Sequence, residues 1–416
     1  MALIDFKVLP GIDKQDTASG AEFRWVDCDN TRFRYGLPEK VGGWSSLVTD
    51  TIVGVARREF AFVDLDGNRY VAIGTDKFLL IYFEGQLYDI TPLKTTLTSA
   101  TLATTNTSAI CSITTGTNHN LSVGDIVLLD TVTLPVGTGY VDADFENKLF
   151  QVTSITSATV FTITQSTAAT ATVGTGGSLS VKPYEQVGPA EQSYGYGWGI
   201  DTWSSGKWGE AASASDVSLE PGLWSLSNFG QVLVATIANG KTFTWNAGDA
   251  ARLTTRASTA TSGFETTNNP TATRITLVSP TTRHLIHLGT ETTIGDPTTQ
   301  DDMFIRFSDQ EDINDYVPTA INSAGSQRLQ DGTRIIGALK AKESILVWTD
   351  NALYTMKFIG APFTFGFEQV GTNCGLIGKN AAIEIDGMAF WMSSNGFFMF
   401  DGTVKSLPCS VEDYVY

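Results

Sequence analysis

Three histidines are the first candidates for chemistry, because 416 residues hold no more than these three. His284 and His287 stand three apart in Arg283-His-Leu-Ile-His-Leu-Gly289, an alternating run that reads as a strand. On a strand, odd spacing sends the two imidazoles to opposite faces, which makes them poor joint metal ligands. His119 has no acid or nucleophile paired with it in sequence and reads as a turn residue. Asp309, Glu311, Asp312 and Asp315, in Ser308-Asp-Gln-Glu-Asp-Ile-Asn-Asp315, hold oxygens enough for calcium. The run lacks the Gly and closing Glu of a helix-loop-helix site, so it reads as a solvated inter-strand loop and a region of partner contact. Cys28, Cys111, Cys374 and Cys409 are too far apart for zinc-type pairs and read as buried free thiols. No catalytic, metal or cofactor-binding residue is assigned, and the expectation is a non-enzymatic chain.

The elements that would position these residues repeat. Gln231 to Thr254, Arg283 to Pro318, Arg334 to Gly360 and Asn380 to Pro408 each run from an apolar strand through a Gly, Asn or Asp turn into an aromatic-rich strand. Their starts are spaced by 52, 51 and 46 residues, a period that predicts one small antiparallel sheet per repeat and hence a β-propeller. An ordinary all-β sandwich is the alternative. Arg69 to Pro92 has the same pattern outside the period. Between, Leu93 to Pro183 is rich in Thr, Ser and Ala, bounded by prolines, and alternates apolar with polar residues in Phe150 to Thr156 and Thr159 to Thr164. The expected organisation is therefore all-β: residues 1–92 as N-terminal segment and first propeller strands, 93–183 as an inserted small β-barrel, and 184–416 as the remaining blades, about six in total. Aromatic neighbours Tyr82 and Phe83, Phe397 and Phe398, or Trp348 and Tyr354 are expected to act as cross-strand pairs that stiffen the blades.

Trp198, Trp203 and Trp208 recur every five residues in Tyr194 to Gly209, a period of neither helix nor strand. They read as an ordered loop, packed on a blade edge or offering indole faces to a sugar or a protein partner. This loop, the acidic loop and the barrel are the expected contact regions.

Composition narrows the function classes. The net charge is −17, with 44 acidic against 27 basic side chains, the wrong sign for gripping nucleic acid through its phosphates. No apolar run reaches the roughly 18 residues of a membrane helix, and Met1 to Lys7 lacks the form of a signal peptide, so synthesis in a cytoplasm without membrane insertion is expected.

Asn118-His-Asn-Leu-Ser-Val-Gly-Asp125 resembles the H-x-L-x-x-G-D turn of a small barrel module that decorates phage structural proteins and occurs in ubiquitin-activating enzymes. Ser393-Ser-Asn-Gly-Phe-Phe398 is faintly similar to the Asp-box turn of sialidases, but it has Asn395 in place of Asp and no closing tryptophan, and reads as a hairpin turn. Pro10 to Gln15 and Asp29 to Trp44 look like the opening of tailed-phage virion proteins, and the Tyr196-Gly-Trp-Gly199 loop, Trp224-Ser-Leu-Ser-Asn-Phe-Gly230 and Ile345 to Tyr354 continue the likeness. Gly371-Thr-Asn-Cys-Gly375 with Ala389 to Gly402 resembles tail nozzle (packaged-DNA stabilisation, or tail hub) proteins of short-tailed bacteriophages. The resemblance implies a virion protein of the tail: a ring subunit, six copies, docked below the portal and adaptor. It implies contacts with tail fibre, spike or needle proteins and a lumen that retains and then passes double-stranded DNA. Proteins of this kind usually continue beyond a position like Tyr416, so either the gene product is longer or the last blade closes differently. A tail-tip or host-surface-binding module and a carbohydrate-active propeller enzyme are the alternatives.

Overall fold

The computed structural model describes residues 8–46, 48, 50–191, 220–258 and 269–416. They fall into two compact units, Asp50–Glu265 and Met1–Thr49 with Thr266–Tyr416. The second unit opens with a hairpin of β1 (Thr31–Arg34) and β2 (Leu37–Lys40). Its turn residues Tyr35 and Gly36 both have positive φ, the geometry that matches strand twist in a two-residue loop.

The unit Asp50–Glu265 begins with a four-stranded antiparallel meander of β3 (Ala56–Val63), β4 (Arg69–Thr75), β5 (Leu79–Phe83) and β6 (Gln86–Asp89). A closed barrel follows, with β7 (Leu97–Thr104), β8 (Ile110–Thr114), β9 (Ile126–Thr133), β10 (Lys148–Ser157), β11 (Val160–Thr164) and β12 (Val173–Pro183) in the order β10-β11-β8-β7-β12-β9. Every second residue of β8 and β11 points inward, and Leu102, Ile113, Leu129, Phe145 and Phe161 fill the lumen without solvent access. The chain enters and leaves the barrel at one place: Lys94 N–H donates to Pro183 O and Glu185 N–H to Pro92 O. The unit ends with β13 (Trp224–Phe229), β14 (Val232–Ile237) and β15 (Thr242–Asn246).

The other unit carries three four-stranded meanders. They are β16 (Thr273–Val278), β17 (Leu285–Thr290), β18 (Phe304–Phe307) and β19 (Gly325–Arg328); β20 (Ile335–Lys340), β21 (Ile345–Thr349), β22 (Ala352–Gly360) and β23 (Thr364–Thr372); and β24 (Ala382–Ile385), β25 (Met388–Ser393), β26 (Gly396–Phe400) and β27 (Val404–Ser406). The fold class is thus all-β, with five propeller-type blades and a barrel among the described residues, near the about six blades expected.

Two details of the sequence reading change. The repeats are blade hairpins, but those at Gln231 and Arg283 open on second strands whereas those at Arg334 and Asn380 open on first strands. From first strand to first strand the intervals are 49, 62 and 47 residues, because the 17-residue excursion 308–324 separates β18 from β19. The aromatic pairs also differ. Trp348 faces Leu353 and Tyr354 faces Val347, while Tyr82 and Phe83 are consecutive and so point to opposite faces of their strand. The aromatic residues that do sit opposite each other are Phe62 and Tyr70, Phe358 and Phe365, and Trp391 and Phe398, the last stacked at 5.8 Å.

In each unit one pair of adjacent blades is joined through a buried tryptophan. Trp224 opens β13 and donates its indole N–H to Thr75 O at 3.0 Å, lying so close to Gly74 that a Cβ there would meet it at 2.6 Å. Trp391 in β25 donates to Cys374 O at 2.7 Å and packs edge-on against Trp348 of β21 at 5.5 Å. The chain crossing between those two blades is fastened by Cys374 N–H to Asn351 O and Leu376 N–H to Thr349 O. Gly375 approaches so closely that a Cβ would fall 2.1 Å from Asp350 O.

Within blades a second device repeats. The second strand ends in Thr75, Thr290 or Thr349, and the next residue is an acid that accepts the N–H of the segment leading into the first strand. Asp76 Oδ1 takes Val55 N–H at 2.6 Å, Glu291 Oε1 takes Thr271 N–H at 2.9 Å, and Asp350 Oδ1 takes Thr333 N–H at 2.7 Å. Glu291 also accepts Gly295 N–H at 2.7 Å and is fully buried, whereas Asp350 is exposed. An acceptor removed from a buried donor costs more than one replaced by water. Glu291→Ala is accordingly expected to lose about 3–5 kcal/mol in chemical denaturation and Asp350→Ala about 1–2 kcal/mol; equal losses would show that the clamp does not act through burial.

Candidate functional site

The acidic excursion is where candidate residues converge. Ser323 Oγ donates to Asp309 Oδ1 at 2.5 Å, and His284 Nε2 lies 3.0 Å from the same Oγ, with its Nδ1 2.7 Å from Thr282 Oγ1. Asp309 further accepts Ser323 N–H at 2.8 Å, and Gln310 N–H donates to Ser323 Oγ at 3.0 Å. The three residue types are those of an acyl-transfer triad, but the order differs. There the imidazole bridges acid and hydroxyl and takes the hydroxyl proton; here the hydroxyl bridges acid and imidazole, and its proton already lies on the Asp309 side. Ser323 is therefore a positioning group that ties the excursion to the first turn of its blade. Burial pushes His284 down to about 4, against the pull of Asp309, and so keeps it neutral. Partial desolvation raises Asp309, but the side-chain and backbone bonds from Ser323 outweigh it and hold the carboxyl below its usual range.

The remaining acids divide by role. Asp315 accepts Asn322 Nδ2 at 2.8 Å and Val317 N–H at 3.1 Å, so its oxygens shape the loop. Asp312 accepts Asn314 N–H at 2.8 Å, and Glu311, at positive φ, stands 3.8 Å from Arg283. Among the described residues no group of three His, Cys, Asp or Glu side chains is arranged to hold a metal ion. Trp198, Trp203 and Trp208 lie outside the described residues.

His287, inside β17, is separated from His284 by the strand pleat. Its Nε2 is 3.0 Å from Tyr316 Oη and its Nδ1 3.2 Å from Thr273 Oγ1. Complete burial, with Arg306 nearby, depresses it to about 3, and burial raises Tyr316 well above the usual phenol range. Arg306 itself, in Phe304-Ile-Arg-Phe307, donates to Thr292 O at 2.8 Å and Glu291 O at 3.3 Å, and its Nε finds no acceptor. This interior polar group was not read from the sequence. Its signal was a lone charge inside an apolar strand, which demands a buried partner. His119 is likewise consumed, Nε2 bonding Ser157 O at 2.9 Å while Nδ1 accepts Leu121 N–H at 2.9 Å.

Where the barrel meets β15, a cavity of about 620 Å³ is lined by Lys94, Asn118, Asn120, Glu185 and Lys241 and, in like measure, by apolar Leu93, Leu97 and Phe243. Lys241 pairs with Glu185 at 3.4 Å and Lys94 stands 4.0 Å from Asp125. The lining offers hydrogen bonds of both senses and no activated nucleophile.

No protein-family model and no curated protein matches the chain. Among solved structures, the phage phi92 endosialidase is similar to it with a TM-score of 0.26 and 14% identity, over 78% of this chain. The chain spans 50% of that protein's length.

The neutral histidines give the site a pH signature. Their folded values lie below the unfolded value of about 6.5, so the unfolded chain binds more protons between those limits and stability falls with acid. The contribution is whole above about pH 6.5 and is lost as pH drops towards 4 for His284 and 3 for His287. Thermal unfolding from pH 7 to 4.5 is expected to show a slope approaching about 1.4 kcal/mol per pH unit per histidine. That slope should flatten in His284→Gln/His287→Gln; an unchanged slope would assign the acid sensitivity to other groups.

Proposed function

We propose that this chain is a non-enzymatic structural subunit of a short-tailed phage tail, a nozzle or hub that extends the tail tube, retains packaged DNA and conducts it during ejection. The observation that carries the reading is where the residues of the resemblance lie. Trp224 to Gly230, Gly371 to Gly375 and Ala389 to Gly402 are the stretches that join one blade to the next, through Trp224 on Thr75 and Trp391 on Cys374. These are mechanical residues, and their match supports a shared scaffold with a shared mechanical task. His119, His284 and His287 each have both ring nitrogens in hydrogen bonds to groups of the fold, which supports a structural role for these three.

Charge agrees with a conduit. Duplex DNA carries one negative charge per roughly 1.7 Å, so a cationic channel would retain it while an acidic wall lets it slide. A subunit of net charge −17 suits passage without adhesion. On this reading the chain forms a ring, of six copies by the resemblance, between the portal and adaptor on one side and fibre, spike or needle proteins on the other. The acidic excursion and the barrel offer contact surfaces.

The test is gold-labelled antibody against this chain on source virions, beside particles assembled without the gene. Label at the distal tail, with mutant particles that lose DNA or the lower tube, is the expected result. Label on peripheral fibres with DNA retained would replace the reading by a host-surface module, and hydrolysis of a host polysaccharide abolished by one carboxylate substitution would make it an enzyme. Binding of purified chain to duplex DNA at physiological salt is expected to be weak and independent of sequence; tight binding would contradict the acidic lumen.

A further inference from the structure

Among the described strands, β1 and β2 pair only with each other, leaving both outer edges of the hairpin uncovered. A lone two-stranded hairpin is marginal in water. This one is nevertheless well built, with four registered pairs and a two-pronged Arg32–Glu39 bridge at 3.1 and 3.2 Å. Phe33 is half-buried beside Trp25 at 6.4 Å, but Tyr35 is 92% and Leu37 70% exposed. Arg34 stacks its guanidinium over the Tyr35 ring at 5.4 Å. Because Arg32 offsets Glu39, Arg34 and Lys40 leave the hairpin positive in a chain of net charge −17.

A surface of opposite character lies in the same unit. The β22–β23 hairpin carries Phe358 opposite Phe365 near its tip and Phe363 in its turn, 73% exposed. Thr364 Oγ1 donates to Ser323 O at 3.0 Å, fastening that tip to the excursion in which Ile321 is 98% exposed. On the same excursion Glu311 is offset by Arg283 at 3.8 Å, which leaves exposed Asp312 and half-buried Asp315 to make the rim acidic.

We propose that the basic, aromatic β1–β2 hairpin of one copy docks on the apolar tip and acidic rim formed by β22–β23 and residues 309–323 of a second copy. Two features select a second copy as the occupant. The charges are complementary, and Tyr35 and Leu37 on one surface and Phe363 and Ile321 on the other are otherwise left to water. Donor and acceptor are different patches of one chain, so the contact is head-to-tail and propagates until it closes a ring or extends a filament. A hairpin tip covers less than a standard interface, so each contact is weak and salt-sensitive, and closure supplies the rest. The inference rests on the tail reading for the number of copies alone.

The test is sedimentation velocity of the full chain over a concentration series at low and high salt. Wild type is expected to associate, less so at high salt. Arg34→Glu/Lys40→Glu and Glu311→Lys/Asp312→Lys should each weaken association by about tenfold. The first should keep its melting temperature because Arg34 and Lys40 are exposed, and the second, which also loses the Arg283 ion pair and the Asn314 N–H acceptor, is compared at temperatures where its circular dichroism matches wild type. An equimolar mixture of the two variants should recover association, since the reversed hairpin of one meets the reversed rim of the other. A photo-crosslinker at Tyr35 should join isotopically distinct copies within 317–323 or 358–364. A monomer at every concentration, variants that associate like wild type, or crosslinks elsewhere would each overturn the contact. Virion labelling is a separate readout: distal label with a monomeric chain sinks this contact and leaves the tail reading, and self-association with label elsewhere does the reverse.

Discussion

One dipeptide, a threonine and an acid at the exit of a blade's second strand, ties that blade to itself and to its successor. In Thr75-Asp76 the hydroxyl accepts Phe78 N–H to close the turn, the carboxylate catches Val55, and the Thr75 carbonyl accepts the Trp224 indole of the next sheet. In Thr349-Asp350 the same atoms take Ala352 N–H, Thr333 N–H and Leu376 N–H. The device satisfies backbone donors that strand pairing leaves over at the blade ends, one of them enclosed with buried Glu291 and the others at exposed positions. The hydrophobic layers between blades enclose Trp224, Trp245 and Trp348 fully, with the indole N–H of the first two hydrogen-bonded and that of Trp348 left without an acceptor among the described residues.

The hairpins were legible in the sequence because an apolar run broken by Gly, Asn or Asp has few other solutions. Which hairpin of each blade was being read was not legible, since β14, β17, β20 and β24 are apolar strands of similar length and composition. The period therefore looked more regular than it is. The barrel strands announced themselves by alternation, as at Val160 to Thr164. The Thr-acid clamp stayed hidden because the dipeptide is common and its partner lies 17 to 21 residues upstream. For the same reason Asp309 and His284 were noticed separately, while Ser323, the residue between them, was not: 39 residues separate it from the histidine.

The polar interior of the blade β16–β19 shows how far burial decides what a side chain can do. His284 and His287 differ by three positions and would be equivalent in a loop. The pleat gives one a serine and a threonine, the other a phenol and a threonine, and both are held neutral. An arginine and a glutamate in the same sheet meet through backbone carbonyls and amides rather than head to head, which spreads the electrostatic compensation over several dipoles. Such an interior fixes one arrangement of strands and holds both imidazoles uncharged within it.

The shared doorway of the barrel has a consequence for change over generations. Because Pro92 and Pro183 lie side by side, hydrogen-bonded to each other's neighbours, the 93–183 segment is attached like a bead on a clasp. The Arg256–Asp89–Tyr184 cluster, with contacts of 2.6 to 3.0 Å, is the clasp's pin. A short turn could replace the bead without rethreading a single blade strand, and another module with adjacent ends could take its place. The gene can therefore vary what it displays at this point as an exchangeable cassette while the blades retain their topology.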